Sequence, residues 1–365
     1  MTIRFDKQTI QEKLETAVRF SSSRVGSSPL LQSVKIEIEN NKISFFSTNL
    51  NSYYLSNAPI KAEIKISLLI EPRKIIEFLS LLSPGEVEGE IGEKGIMLSQ
   101  KGVSGEFLSV KGSDFPQAPQ IEGKGEVVNH QLLNDLLPLI LFTAAKEETR
   151  PVLNGINFSY LEGVLSIVST DGFRLSLVQQ KTESKIPSLI IPSLFLVELL
   201  RETKGAEEVR FLFSEKEKII RFIIGESQYM SRVIEGEFPP FQKVIPTEVV
   251  TEATVDKDEF LRACKIVSVF AKEYSNIALC TFLETGVRIN PKQEAGEKNS
   301  VIIEGKRKGP EQTAAFNLRF LLDYLQHAKG KKIHVGMVRS EAPVAFREEG
   351  NSAFLHIIMP VRVQQ

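Results

Sequence analysis

The chain says nearly the same thing three times, at intervals of about 120 residues. Each pass opens on a pattern of apolar residues at helical spacing: from Asp6 to Phe20, from Asn129 to Ala145, and from Lys257 to Lys272. A second helix is predicted midway through each pass, from Pro72 to Leu82, from Pro192 to Arg201, and from Asn317 to Ala328. Two passes close on similar words, Asp114-Phe115-Pro116 and Glu237-Phe238-Pro239, and the third closes on Met359-Pro360. A period this long is a whole domain per copy rather than a solenoid unit. The turn-rich stretches Ile121-Glu122-Gly123-Lys124-Gly125 and Pro246-Thr247-Glu248 then separate domains at 1–122, 126–246 and 249–365. A chain of three like domains can curve, and a curved chain that self-associates can close.

Between the helices the pattern is strand and turn. Val34-Lys35-Ile36-Glu37-Ile38 alternates apolar and polar residues, turns at Asn40-Asn41 and continues as Lys42-Ile43-Ser44-Phe45. The same hairpin reading holds on either side of Glu162-Gly163, on either side of Ser214-Glu215-Lys216-Glu217, and between Lys332 to Val338 and Val344 to Arg347. Alternation of this kind predicts antiparallel sheets with one face on helices and one toward water, an α+β class. The stretch from Asn290 to Ser300 reads as an exposed loop.

Composition excludes more than it suggests. At 42% hydrophobic and 25% charged residues, the chain is an ordinary globular one, and its longest apolar runs are too short to cross a bilayer. Met1 to Ile10 holds no signal-peptide core, so a cytoplasmic address is expected. Cys264 and Cys280 are too few for a disulfide framework, and His130, His327, His334 and His356 have no metal-ligand spacing. No metal and no cofactor are expected. Net charge is −1, yet the helical segments carry a slight cationic excess and the remainder an acidic one, as for helices that face an anion. Ordinary solvated helix faces give a similar pattern. No phosphate loop, nucleophile elbow or zinc-protease helix is present, and the carboxylate pairs Glu147-Glu148 and Glu348-Glu349 sit in charged loops.

One word is more pointed: Ser169-Thr170-Asp171-Gly172-Phe173-Arg174-Leu175. Asp-Gly supplies the backbone angles of a tight turn, and that alone accounts for it. An aromatic and a guanidinium displayed just after such a turn are also a common protein-binding pair. The segment resembles the Thr-Asp-Gly-x-Arg-Leu word of the bacterial DNA polymerase III beta subunit, the sliding clamp family. Asp114-Phe115-Pro116, Leu153-Asn154-Gly155, Phe238-Pro239-Pro240-Phe241, Phe316-Asn317 and Met359-Pro360-Val361-Arg362 also occur in the family's order, across nearly the whole chain.

The resemblance implies three similar helix-on-antiparallel-sheet domains in a crescent that closes as a head-to-tail homodimeric ring around duplex DNA. It implies a processivity factor without catalytic turnover, cytoplasmic and nucleoid-associated during replication. It also implies a hydrophobic pocket for short peptides of the Gln-Leu-x-Leu-Phe kind from polymerase, clamp loader and repair proteins. The matching positions are Leu153, Thr170, Gly172, Arg174, Leu175, Pro239, Val244, Met359, Pro360 and Arg362, with Phe173, Lys243, Asn317, Phe320, Val344 and Val361 as the rim. Phe173, Lys243 and Phe320 stand where the family often has histidine, arginine and tyrosine, and Val363-Gln364-Gln365 extends the tail. For DNA the matching residues are Arg24, Arg73 and Lys74; for the dimer contact, Phe107 with Val269 and Phe270, which internal packing would explain equally. The alternative is an oligomeric enzyme of repeated helix-on-sheet domains with an interface site, which requires polar groups converging on a pocket.

Overall fold

A computed structural model describes residues 2–362 apart from 24–25, 63–64, 93, 112–113, 148, 183–186 and 293–298. Six α-helices are described: α1 (Lys7–Phe20), α2 (Pro72–Leu81), α3 (His130–Leu136), α4 (Ser193–Thr203), α5 (Lys257–Ala271) and α6 (Leu318–His327). Five match the predicted helices within two residues at either end. Their starts are set by local chemistry. Asp6 Oδ1 accepts from Thr9 N at 2.9 Å, Asp256 Oδ1 from Asp258 N and Glu259 N, and Asn317 Oδ1 from Arg319 N, while Pro72 occupies the first turn of α2. The long second-pass helix does not form. It stops at Leu136, because Pro138 lacks an N–H and disfavours helical angles at Leu137, and short 3-10 turns at Leu137–Leu139 and Leu141–Thr143 follow.

The chain folds into two compact units, Met1–His130 with Leu194–Val233, and Gln131–Ser193 with Ile234–Gln365. In the first unit an eight-stranded antiparallel sheet runs in the order Ile66–Ile70, Val34–Glu39, Lys42–Thr48, Ser52–Pro59, Ser227–Arg232, Ile219–Ile224, Val209–Ser214, Glu126–Val128. Its centre is the pairing of Ser52–Pro59 with Ser227–Arg232, which joins the first and second passes through the register Tyr54 to Tyr229. Asn40 and Asn41, both at positive φ, close the hairpin where the sequence placed it. A separate sheet orders Thr2–Asp6, Glu86–Gly92, Gly95–Gln100 and Val103–Leu108, with Val103–Leu108 a free edge among the described residues.

The apolar faces meet as the alternation requires. Ile10 and Leu14 of α1 share one cluster with Ile36, Ile38, Ile43 and Ile75, and Phe20 packs within 6.2 Å, ring to ring, of Tyr54, Tyr229 and Phe195. Each such side chain contributes roughly 1.5–3 kcal/mol when fully buried. The polar side of α1 is already committed. Arg19 pairs with Glu198 at 2.9 Å and with Glu202, Lys13 donates to Ser227 Oγ at 3.0 Å, and Lys7 donates to the Leu82 carbonyl at 2.9 Å. Burial lowers the Lys13 pKa and pushes the Tyr54 hydroxyl up to about 12. The three cations of α1 are therefore already paired within the protein.

The second unit is built on a twelve-stranded sheet. Its middle runs Gly155–Leu161, Val164–Thr170, Arg174–Lys181, Asn351–Ile358, Val344–Glu348, Lys332–Met337 and Thr251–Asp256. Arg174–Lys181 pairs with Asn351–Ile358 in the register Leu175 to Ile357, so the second and third passes also share a sheet. Helices α5 and α6 pack Phe260, Val267, Leu321 and Tyr324 out of water. Of the loop expected between Asn290 and Ser300, Asn290 and Pro291 end a strand, and 293–298 lie outside the described residues.

Candidate functional site

The turn after Val164–Thr170 is held by its own side chains. Thr170 Oγ1 accepts from Gly172 N at 3.0 Å and donates to the Arg174 carbonyl at 2.6 Å. Asp171 Oδ1 accepts from the backbone N–H of Phe173 and of Arg174, at 2.9 and 3.0 Å. Gly172 sits at φ +91°, a region that a side chain would strain. The result sends neighbours opposite ways: Phe173 is 64% exposed, whereas Arg174 is only 9% exposed.

Arg174 is a floor residue. Its Nε donates to Asp171 Oδ2 at 3.0 Å, Nη1 to Asp323 Oδ2 of α6 at 2.6 Å, and Nη2 to the Phe142 carbonyl at 3.0 Å. The Phe320 ring lies 4.5 Å from its Cζ and the Phe142 ring 5.6 Å. Behind it runs a buried polar chain, Thr143 Oγ1 to Ser176 Oγ at 2.7 Å and Ser176 Oγ to His356 Nδ1 at 2.8 Å. Burial, with Arg174 and His327 adding to it, holds the His356 imidazole well below its usual pKa, so the ring is neutral.

Beside this turn a cavity of about 270 Å³ opens over Leu175 and Ile357. Nine residues picked from the sequence line it: Leu153, Thr170, Gly172, Phe173, Arg174, Leu175, Pro239, Val244 and Met359. Beneath lies a closed cluster of Val168, Leu175, Leu177, Leu355 and Ile357, against which Phe238, Phe241 and Ile245 pack. Met359 N donates to the Phe173 carbonyl at 2.8 Å and Val361 N to the Ala315 carbonyl at 2.8 Å, so the terminal segment is stitched beside the turn. The arrangement is an apolar slot with polar edges, suited to large aliphatic and aromatic side chains of a ligand.

Seven picks do not line the cavity. Val344 is fully buried within a central strand, Asn317 is occupied capping α6, and Phe320 lies against Arg174. Lys243 and Arg362 are exposed, and Pro360 and Val361 are half-buried. Four lining residues were missed: Arg150, Pro240, Phe241 and Ile357. Pro240 and Phe241 stand inside the Phe238-Pro239-Pro240-Phe241 word, and Ile357 shares a strand face with Met359 at i, i+2. Nothing in the sequence marks Arg150.

Elsewhere, Arg73 and Lys74 are exposed in the first turn of α2, where the helix N-terminus adds positive potential. Arg24 and the tail Val363-Gln364-Gln365 lie outside the described residues. Phe107, on the free edge strand Val103–Leu108, is half-buried against Phe78 at 5.4 Å between ring centroids. Val269 and Phe270, in the last turn of α5, are 64% and 40% exposed. Both cysteines are buried, and burial pushes the Cys280 thiol up to about 12 and the Cys264 thiol up as well. Among the described residues no group of three His, Cys, Asp or Glu could hold a metal ion, and no helix is long and apolar enough to cross a membrane.

Two family models match the chain, the DNA polymerase III beta subunit central domain over residues 127–240 and its C-terminal domain over residues 242–362. The chain belongs to the bacterial DNA polymerase III beta-subunit family, the sliding clamps. A beta sliding clamp of Bacillus subtilis is 24% identical over 99% of this chain and 100% of its own length. The crystal structure of the DNA polymerase III beta subunit from Thermotoga maritima superposes with a TM-score of 0.90 at 20% identity, covering 100% of both chains. A Pseudomonas aeruginosa sliding clamp bound to griselimycin superposes with a TM-score of 0.88 at 20% identity, again covering 100% of both. The fold is the α+β clamp fold of this family.

Proposed function

We infer that this chain works as a DNA sliding clamp that tethers the replicative polymerase, and in turn the clamp loader and repair proteins, through short peptides seated in the cavity beside the Thr170–Leu175 turn. The carrying observation is that cavity: a preformed apolar slot bounded by Leu153, Leu175, Pro239, Val244 and Met359. Leucine and phenylalanine anchors of a Gln-Leu-x-Leu-Phe-type peptide would supply the desolvation energy, roughly 1.5–3 kcal/mol for each side chain fully buried. Methionine at 359 lets one slot repack around different partners. In this reading Lys243, Pro360, Val361 and Arg362 contact the flanking part of the peptide, while Asn317, Phe320 and Val344 shape the slot from behind.

The rest of the reading follows from the family. The three passes, 1–122, 126–246 and 249–365, are three clamp domains, and two protomers join head to tail into a ring around duplex DNA. Phe107 on its free edge strand meets Val269 and Phe270 of a second copy, and the exposure of the latter two supports that contact. Arg73 and Lys74, with Arg24, give the hole transient phosphate contacts. A clamp that gripped bases could not slide, so a diffuse positive field and a closed topology suit the task better. The clamp has no turnover and no cofactor of its own, and ATP is consumed by its loader. The rival, an oligomeric enzyme, needs converging polar groups, whereas the described cavity is walled mainly by apolar side chains.

The test is fluorescence polarisation with a labelled Gln-Leu-x-Leu-Phe-type peptide, using a variant lacking Met359 to Gln365 as control. Saturable binding lost on deletion is the expected result. Equal binding by both proteins would remove the pocket assignment.

A further inference from the structure

The turn that frames the cavity is built twice. In the first unit Thr48 Oγ1 accepts from Leu50 N and donates to the Ser52 carbonyl, each at 2.8 Å. Asn49 Oδ1 accepts from Asn51 N at 3.1 Å and from Ser52 N at 2.8 Å. Thr170 and Asp171 make the same four bonds around Gly172, Phe173 and Arg174. Leu50 even takes the glycine's backbone, at φ +74°, a region most side chains avoid. The neighbouring strand matches too: Arg232 N donates to the Asn51 carbonyl at 2.8 Å, as Met359 N does to the Phe173 carbonyl.

The frames agree bond for bond, and the contents differ. Beneath the cavity the directly opposed residues of three strands are Leu175, Ile357 and Ala345, whose side chains share one face. The matching row in the first unit is Tyr53, Met230 and Arg221. A tyrosine stands for a leucine and an arginine for an alanine. Tyr53 donates its hydroxyl to the Leu50 carbonyl at 2.9 Å, which holds its ring under the turn. Arg221, only 8% exposed, donates through Nη1 to the Ile121 carbonyl at 2.6 Å and through Nη2 to the Gly123 carbonyl. Both carbonyls belong to the strap from Asp114 to Gly125 that leads from the first pass to the second. Ile121 of the strap packs on Tyr53, Ile219 and Met230, and the Phe115 ring meets Phe46 edge-on at 5.4 Å. A guanidinium so far out of water depends on its charge-assisted bonds, and these two go to the strap. Ala345 has no donor to offer the corresponding segment, which walls the cavity with Pro239, Phe241 and Val244.

We propose that the first unit holds a second copy of the peptide site, closed by the chain's own strap. Ile121 sits where an apolar anchor of a peptide would sit, Tyr53 fills the depth below it, and Arg221 is the latch. The site takes the same class of ligand, a short peptide with leucine and phenylalanine anchors, and takes it only when the strap lifts. With the strap down, each chain offers one open slot. The inference rests on the pocket reading above.

Two experiments test it. Ile121→Cys places a thiol under the strap, in a chain whose native Cys264 and Cys280 are buried. Maleimide labelling of that thiol should be slow, and about tenfold or more faster once Arg221→Gln is added. An equal rate with and without Arg221 would overturn the latch. The second experiment is calorimetric titration with a Gln-Leu-x-Leu-Phe-type peptide. The wild type should take one peptide per chain, and the variant lacking Met359 to Gln365 none. Adding Tyr53→Leu and Arg221→Ala to that deletion copies the row beneath the open cavity, and should restore binding about ten- to a hundredfold weaker than in the wild type. Two peptides per wild-type chain, or no regained binding by a variant that keeps its melting transitions, would overturn the second site while the pocket stands. If that variant does not fold, the labelling rates decide. No binding by the wild type would remove the pocket reading and this inference with it.

Discussion

Replacing Arg174 by alanine tests the pocket from its floor. The substitution removes three charge-assisted hydrogen bonds and a cation placed over two aromatic rings. Stranding a fully buried charge costs about 3–5 kcal/mol, but neither carboxylate left behind is in that position. Asp171, 17% exposed, keeps the Phe173 and Arg174 backbone donors, and Asp323, 41% exposed, is reached by water. The remaining loss is about 1.5–3 kcal/mol from hydrogen bonding of the charge and about 0.5–1 kcal/mol from the ring contacts, a net of about 2–4 kcal/mol. For a unit of this size each kcal/mol lowers the melting temperature by roughly 2–4 °C, so the transition of the unit holding Arg174 should fall by roughly 4–16 °C. The Thr170–Phe173 turn keeps its internal bonds but loses its anchor to α6, and peptide affinity should fall about tenfold or more. Differential scanning calorimetry and peptide polarisation on the same samples give both numbers. Asp323→Asn is the milder companion, expected to cost about 1 kcal/mol because that carboxylate is partly exposed. A melting temperature within 1–2 °C of the wild type, with peptide binding intact, would refute the view of Arg174 as the pocket's anchor.

Two other expectations follow from exposure and burial. Val269→Asp with Phe270→Asp places charges on the exposed apolar end of α5, and sedimentation should show the homodimer replaced by monomer while the fold is retained; a dimer that survives the double change assigns that contact elsewhere. His356 is neutral when folded, with a pKa below the roughly 6.5 of the unfolded chain, so its contribution to stability is full above that pH and is lost as the pH falls through it. The slope is about 1.4 kcal/mol per pH unit per proton until the folded pKa is reached, and denaturation between pH 7 and 5 should show a steeper loss in the wild type than in His356→Leu. Parallel pH profiles would mean that another group sets acid stability.

The fold was legible in this chain because its signals are local and mutually consistent. Asp6, Pro72, Asp256 and Asn317 mark helix starts in the sequence as they do in the structure, and Asn40-Asn41 closes its hairpin. Leu136 to Ala145 misled because its apolar spacing survives Pro138 while its backbone cannot. The candidate site was legible only in part. Thr170, Asp171 and Gly172 form a turn whose residue types betray it, but whether Arg174 faces a ligand or a partner depends on Asp323, distant in sequence and joined to it only by folding. Val344 and Ile357 lie on neighbouring strands, yet one is sealed in the core and the other opens on the cavity. Arg150 reaches the cavity beside Gly172 only through the fold, a relation that no spacing along the chain expresses.

The central claim is topological, and retention on DNA tests it most directly. The protein is loaded by a clamp loader onto a nicked circular plasmid, free protein is removed by gel filtration, and half the sample is then linearised with a single-cutting nuclease. Encirclement predicts that the protein stays with the circle for far longer than with the linear form, from which it slides off the ends, and that moderate salt changes the difference little. Equal loss from circular and linear DNA would contradict a closed ring, and with it the reading of this chain as a sliding clamp.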